Sequence, residues 1–102
     1  MTTTVIIQYP TGHDFNVDYY VNTHMPLAEK TWGSHGLISA EVVKLGGDSP
    51  HQIYTIMKWE SLAAFQKAGA MEETKAVHED VKNFTTAKPT MVIGENVASP
   101  KL

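Results

Sequence analysis

The sequence predicts an α+β domain of the ferredoxin-like type, in which two helices cover one face of a four-stranded antiparallel sheet. Segments rich in β-branched and aromatic residues alternate with helical segments in the order strand, helix, strand, strand, helix, strand. A short loop rich in glycine joins the second and third strands, as in a hairpin. The chain has 102 residues, which fits a single domain spanning residues 1–102.

The four predicted strands are delimited by glycine and proline. Pro10 begins a turn after the first strand, Gly36 precedes the second, and Pro89 precedes the fourth. The expected spans are residues 2–9, 37–45, 52–59 and 90–97.

The first helical segment contains a proline in its middle. It opens at Asp14, a plausible N-cap, and runs on to Gly33. Pro26 lacks an N–H group and breaks or kinks a helix unless it lies in a first turn. We therefore expect two pieces, one ending near Thr23 or His24 and one with Pro26 in its first turn. Helical spacing relates Val17, Tyr20, Val21 and His24.

The second helical segment is expected to begin after Ser61, a second cap candidate, and to be interrupted at Gly69. It resumes over residues 71–84, where Val77, Val81 and Phe84 recur at helical spacing.

The predicted strands are apolar on both faces. In the third strand Met57 and Trp59 point to one side, and Tyr54 and Ile56 point to the other. Because the two helices cover only one face, water would meet an apolar surface on the other. A second copy of the same sheet is the simplest cover. We therefore expect a homodimer in which two sheets close into one barrel.

The composition excludes several classes of function. The chain has no cysteine, which removes disulfides and thiolate metal ligands. Its net charge is −3, and it has neither arginine nor a basic cluster, which argues against nucleic-acid binding and against a clamp for an anion. We see no signal peptide and no apolar segment of membrane-spanning length. These features predict a cytoplasmic protein, bound to no membrane, whose ligand is small and apolar or aromatic.

Two motifs make the sequence resemble the EthD family, named for a protein associated with ethyl tert-butyl ether degradation. The first is an aromatic-rich helix followed by histidine, methionine, proline and leucine, and then by a tryptophan and a Gly-Leu pair. It is matched here by Tyr19, Tyr20, His24, Met25, Pro26, Leu27, Trp32, Gly33, Gly36 and Leu37. The second is matched by Ser61, Phe65, Asp80, Asn83, Phe84 and Thr85, with Lys82 where the family usually has proline.

The resemblance implies a fold and only the outline of a function. The family is part of the dimeric α+β barrel superfamily, which includes monooxygenases, an isomerase and haem-degrading enzymes. Two classes of function stay open. One is a cofactor-independent, monooxygenase- or isomerase-like enzyme, and the other is a non-catalytic carrier or accessory protein of a cytochrome P450 oxidative system. A haem-binding barrel is a further alternative.

His24 is the candidate catalytic residue, because an imidazole titrates near neutrality and can transfer a proton to or from a small substrate. The other histidines lack the spacing of a helical zinc site, so we expect no metal. No motif in the sequence indicates a cofactor-binding site, so we expect no cofactor. The candidate substrate-binding residues are Tyr20, Trp32, Tyr9, Tyr54, Trp59 and Met25.

Overall fold

The computed structural model describes residues 1–100, so residues 101 and 102 of the predicted domain lie outside the described part. The ferredoxin-like fold is confirmed. The sheet has the order β2-β3-β1-β4, and every neighbouring pair is antiparallel. The strand ends differ from the predicted ends by at most two residues. The strands are β1 (Thr3–Pro10), β2 (Leu37–Lys44), β3 (His51–Trp59) and β4 (Thr90–Glu95).

The first helical segment is continuous across the proline. It consists of α1 (Val17–Tyr19), a π-helical turn (Tyr20–His24), α2 (Met25–Trp32) and a 3-10 turn (Gly33–His35). Its N-cap is Asn16, whose side chain accepts a hydrogen bond from the Tyr19 backbone N–H.

One expectation for this segment is therefore wrong, and a second is confirmed only in part. Asp14 is not the N-cap, because Phe15 still pairs with Thr85 in an isolated β-bridge and delays the helix by two residues. The segment divides where expected, after His24 and with Pro26 in the first turn of α2, but no break separates the two pieces. The Met25 N–H donates to the Tyr20 carbonyl five residues back, which widens the turn and leaves Pro26 in the first turn of α2.

The second helical segment consists of α3 (Leu62–Gly69), α4 (Thr74–Glu79) and a 3-10 turn (Asp80–Asn83). Ser61 caps α3 as predicted, because its hydroxyl accepts from the Ala64 N–H. The interruption after Gly69 is longer than expected, so the helix resumes at Thr74. No helix among residues 1–100 is long and apolar enough to cross a bilayer.

The helices pack against β1 and β3 and leave β4 uncovered. Strand register places Val5 beside Met57 and Tyr9 beside Ile53 on the helix-facing side, where all four are buried. Every residue of β4 is exposed. The helical layer therefore encloses space above the centre of the sheet and leaves one edge open.

Candidate functional site

A cavity of about 330 Å³ lies between the helices and the centre of the sheet. The π-helical turn and α2 form one wall, α3 and α4 form another, and β1 and β3 form the floor. Several exposed lining residues, among them His78, Thr90 and Met91, come from α4 and the start of β4, so the cavity opens to solvent on that side.

Six of the seven predicted site residues line this cavity. Tyr54 does not, because alternate residues of a strand face opposite sides of a sheet and Tyr54 points away from the helices. Its ring instead contacts that of His51, with 5.8 Å between the ring centroids. The six residues that line the cavity are Tyr9, Tyr20, His24, Met25, Trp32 and Trp59.

His24 is only 6% exposed and is held by two aromatic rings. The Tyr20 ring stacks on the imidazole with 5.2 Å between centroids and an angle of 15°, and the Phe84 ring meets it at 4.7 Å. Tyr20 lies one helical turn before His24, so the π turn brings their side chains together. The imidazole is therefore fixed in plane at the cavity wall.

One nitrogen of the imidazole is bound to a carboxylate. His24 Nδ1 lies 2.9 Å from Asp80 Oδ2, while Oδ1 accepts from the Tyr19 hydroxyl at 2.6 Å and from the Asn83 amide at 2.9 Å. Partial burial works against ionisation of Asp80, but the hydrogen bonds from Tyr19, Asn83 and His24 outweigh it and hold the pKa of the carboxyl below its ordinary value. Asp80 is consequently ionised at neutral pH.

The tyrosines in the cavity wall are hydrogen-bonded but resist ionisation. The Tyr20 hydroxyl is hydrogen-bonded to that of Thr55, and both side chains are buried. Burial raises the pKa of Tyr20, and burial followed by the neighbouring Tyr20 raises the pKa of Tyr9 far above its ordinary value. Neither phenol can act as a base near neutrality. His24 is the imidazole in the enclosed part of the cavity wall.

The two tryptophans differ in their hydrogen bonding. The Trp32 indole N–H donates to the Thr74 hydroxyl at 2.8 Å, and Thr74 in turn donates to the Ala68 carbonyl. The Trp59 indole nitrogen is buried and has no acceptor among residues 1–100. An unpaired buried N–H costs about 1–3 kcal/mol, so Trp59 carries an unsatisfied donor beneath the surface of the cavity wall.

Sequence reasoning missed four residues of the site. Asp80 is part of the second motif but was not selected, because only the folded chain brings it to His24. Alternation along β3 could have identified Thr55, since it shares a face with Met57. Thr74 and His78 also line the cavity, and their separation of four residues on one helix face was a usable signal. Within residues 1–100, no three histidine, cysteine, aspartate or glutamate side chains are grouped to hold a metal ion.

No family model and no curated protein matches the chain. Solved structures do match it. An EthD-like protein from Ralstonia eutropha is 24% identical with a TM-score of 0.85, and the match covers 97% of this chain and 95% of that one. An EthD family protein from Bacillus halodurans is 26% identical with a TM-score of 0.75, over 95% of this chain and 100% of that one. SnoaB, a cofactor-independent oxygenase from Streptomyces nogalater, is 14% identical with a TM-score of 0.65, over 98% of this chain and 97% of that one.

These matches agree with the two sequence motifs, which lie on the elements that build the cavity. The resemblance to the EthD family is thereby confirmed, and the chain shares the α+β, ferredoxin-like fold of these structures.

Proposed function

We propose that the protein binds a small apolar or aromatic molecule in the cavity and that His24 transfers a proton to or from it. The observation that carries the proposal is the placement of His24. It is buried in the wall of an apolar cavity, its Nδ1 is bound to Asp80, and its Nε2 has no partner among residues 1–100. A base held in that way is suited to proton transfer without a cofactor.

The residues that line the cavity indicate the chemical class of its ligand. Aromatic and aliphatic side chains dominate the wall, and none of the seven lysines among residues 1–100 lines it, so an anion would gain no lysine as a partner. The volume of about 330 Å³ accommodates a molecule of two or three fused rings.

The reaction class is proposed by analogy. SnoaB has the same fold and is described as a cofactor-independent oxygenase, which supports monooxygenase- or isomerase-like chemistry in an oxidative, degradative or secondary-metabolite pathway. Ether breakdown is one such pathway, and the family name suggests it.

The proposal is tested with 2-tetralone, a bicyclic ketone with acidic C–H bonds next to its carbonyl. In D2O, a base at Nε2 would take a proton from one such C–H bond and leave an enolate. The proton on Nε2 would exchange with D2O, and Nε2 would then return a deuteron to the same carbon as the enolate reverts to the ketone. We expect the protein to accelerate this exchange, measured by NMR, and His24→Phe to reduce the protein-dependent rate by about a hundredfold or more. The matched control is His35→Phe, at an exposed histidine outside the cavity.

A second candidate is a non-catalytic carrier for an oxidative system. It is favoured by the small number of proton-transfer groups in the enclosed wall, where the phenols of Tyr9 and Tyr20 stay neutral. A carrier would bind 2-tetralone without accelerating its exchange. If exchange were accelerated equally by the wild type and by His24→Phe, the role of His24 would be refuted.

We further propose that the protein works as a homodimer. Ile6 lies on the face of the sheet opposite the helices, between Ile56 on β3 and Val92 on β4. These three side chains form an apolar row across the sheet, and Val92 is 50% exposed. A second copy would remove the row from water.

A further inference from the structure

We propose that Asp80 is a positioning residue that fixes His24 with the proton on Nδ1. Nε2 is then a hydrogen-bond acceptor, selective for an apolar ligand that carries a proton donor such as a hydroxyl group or an acidic C–H. The inference rests on the proposed function, because it concerns the same cavity and assigns a role to a residue outside its wall.

The first step is the direction of the hydrogen bond. An ionised carboxylate can only accept, and Asp80 accepts three hydrogen bonds, from Tyr19, Asn83 and His24. His24 must therefore donate from Nδ1, whichever charge the ring carries. In the neutral ring the lone pair is then on Nε2.

The second step is the restraint on the ring. Rotation of the imidazole by half a turn would exchange its two edges and remove Nδ1 from Asp80. The stacked Tyr20 ring and the Phe84 ring occupy the space on its faces and oppose that movement. Tyr19 and Asn83 hold the carboxylate in turn, so the acceptor does not follow a displaced ring. The first helical segment and the 3-10 turn after α4 together fix one orientation.

The third step is the consequence for ligands. The unprotonated Nε2 of the neutral ring accepts a hydrogen bond from a ligand and repels the lone pair of a ligand atom. It therefore favours a phenol over the corresponding methyl ether, which has nearly the same shape but no hydroxyl proton. One neutral hydrogen bond changes affinity by roughly fivefold.

The tautomer of His24 tests the role of Asp80 directly. The protein is labelled with ¹⁵N-histidine, and long-range ¹H–¹⁵N spectra are recorded at pH 8, where an ordinary imidazole is neutral. The His24 signals are identified by their absence in His24→Phe. We expect the Nδ1–H form in the wild type and a loss of that form in Asp80→Ala. Asp80→Asn, which keeps the side-chain shape, should show the same change if the alanine variant does not fold.

The control is Glu79→Ala, which removes an exposed carboxylate from the preceding position and should leave the tautomer unchanged. A wild-type His24 protonated on Nε2, or on both nitrogens, would overturn the proposal. A tautomer that both Asp80 variants preserve would overturn it as well.

The predicted selectivity of Nε2 for hydrogen-bond donors is tested by calorimetry, which measures the affinities of 2-naphthol and 2-methoxynaphthalene. We expect the wild type and Glu79→Ala to prefer 2-naphthol by roughly fivefold, and Asp80→Ala to lose that preference. Equal affinities in the wild type would refute the selectivity. If neither probe binds any variant, the proposed function and the selectivity fail together, while the tautomer still decides whether Asp80 positions His24.

Discussion

At the scale of single residues, hydrogen-bonding capacity separates side chains that are otherwise equally buried. Trp32 and Trp59 lie with 5.7 Å between ring centroids, and both line the cavity. Trp32 uses its N–H to hold Thr74 in α4, while the N–H of Trp59 is unpaired among residues 1–100. The first indole therefore contributes a hydrogen bond to the packing of the helices. The second carries a buried donor that no acceptor among residues 1–100 satisfies.

This difference predicts unequal effects of two matched substitutions. Trp32→Phe and Trp59→Phe remove the same atoms, so they share the cost of lost packing. Only Trp32→Phe removes a hydrogen bond and leaves a buried hydroxyl short of a partner. We expect it to lower the free energy of unfolding by roughly 1–3 kcal/mol more than Trp59→Phe does, measured by urea unfolding. Equal losses would contradict the assignment of the unpaired N–H.

At the scale of elements, two local features set the geometry of the first cavity wall. The π turn over Tyr20–His24 aligns the Tyr20 and His24 rings ahead of Pro26. After α2, Gly36 turns the chain into β2 with φ of 109°, and its carbonyl accepts from the Glu60 N–H at 2.8 Å. The 3-10 turn that follows α2 is thus joined to β2 by a single residue in the left-handed region.

The turn at Gly36 can be tested by adding one carbon atom. A Cβ there would lie 2.8 Å from the Cβ of Ala64, and a side chain in the left-handed region costs about 1–2 kcal/mol in addition. We expect Gly36→Ala to lower the free energy of unfolding by about 2 kcal/mol or more. Gly33→Ala is the control, because Gly33 is helical with open space around it and the change should be neutral or stabilising. If Gly36→Ala left the free energy of unfolding unchanged, the prediction would be wrong, and α3 would have to move to make room for the added carbon.

At the scale of the whole molecule, the two faces of the sheet differ in whether the helices cover them. The helices bury one face and create the cavity, while the other face keeps the apolar row of Ile6, Ile56 and Val92 in contact with solvent. β4 is exposed on both sides and has a free edge. Unpaired strand edges and apolar faces of this kind favour association.

The homodimer is tested by placing a charge in the middle of the row. We expect the wild type to be dimeric at micromolar concentration by light scattering and Ile6→Lys to be monomeric, because a lysine there cannot be buried against a second sheet without a partner. Val21→Lys makes the same chemical change at an exposed apolar residue of the π turn and should leave the dimer intact. A monomeric wild type would refute the dimer.

The sequence by itself determined the order of the elements, because period-two and helical spacing, together with glycine, proline and Ser61, are local signals. It also singled out His24 and its aromatic neighbours through a motif of consecutive residues. It could not place Tyr54 correctly, since strands apolar on both faces do not reveal which face the helices cover. The Asp80–His24 pair joins residues 56 positions apart, and the unpaired Trp59 N–H depends on everything that surrounds it. Only the tertiary structure decides such long-range contacts, because hydrogen bonding and burial are properties of the packed chain.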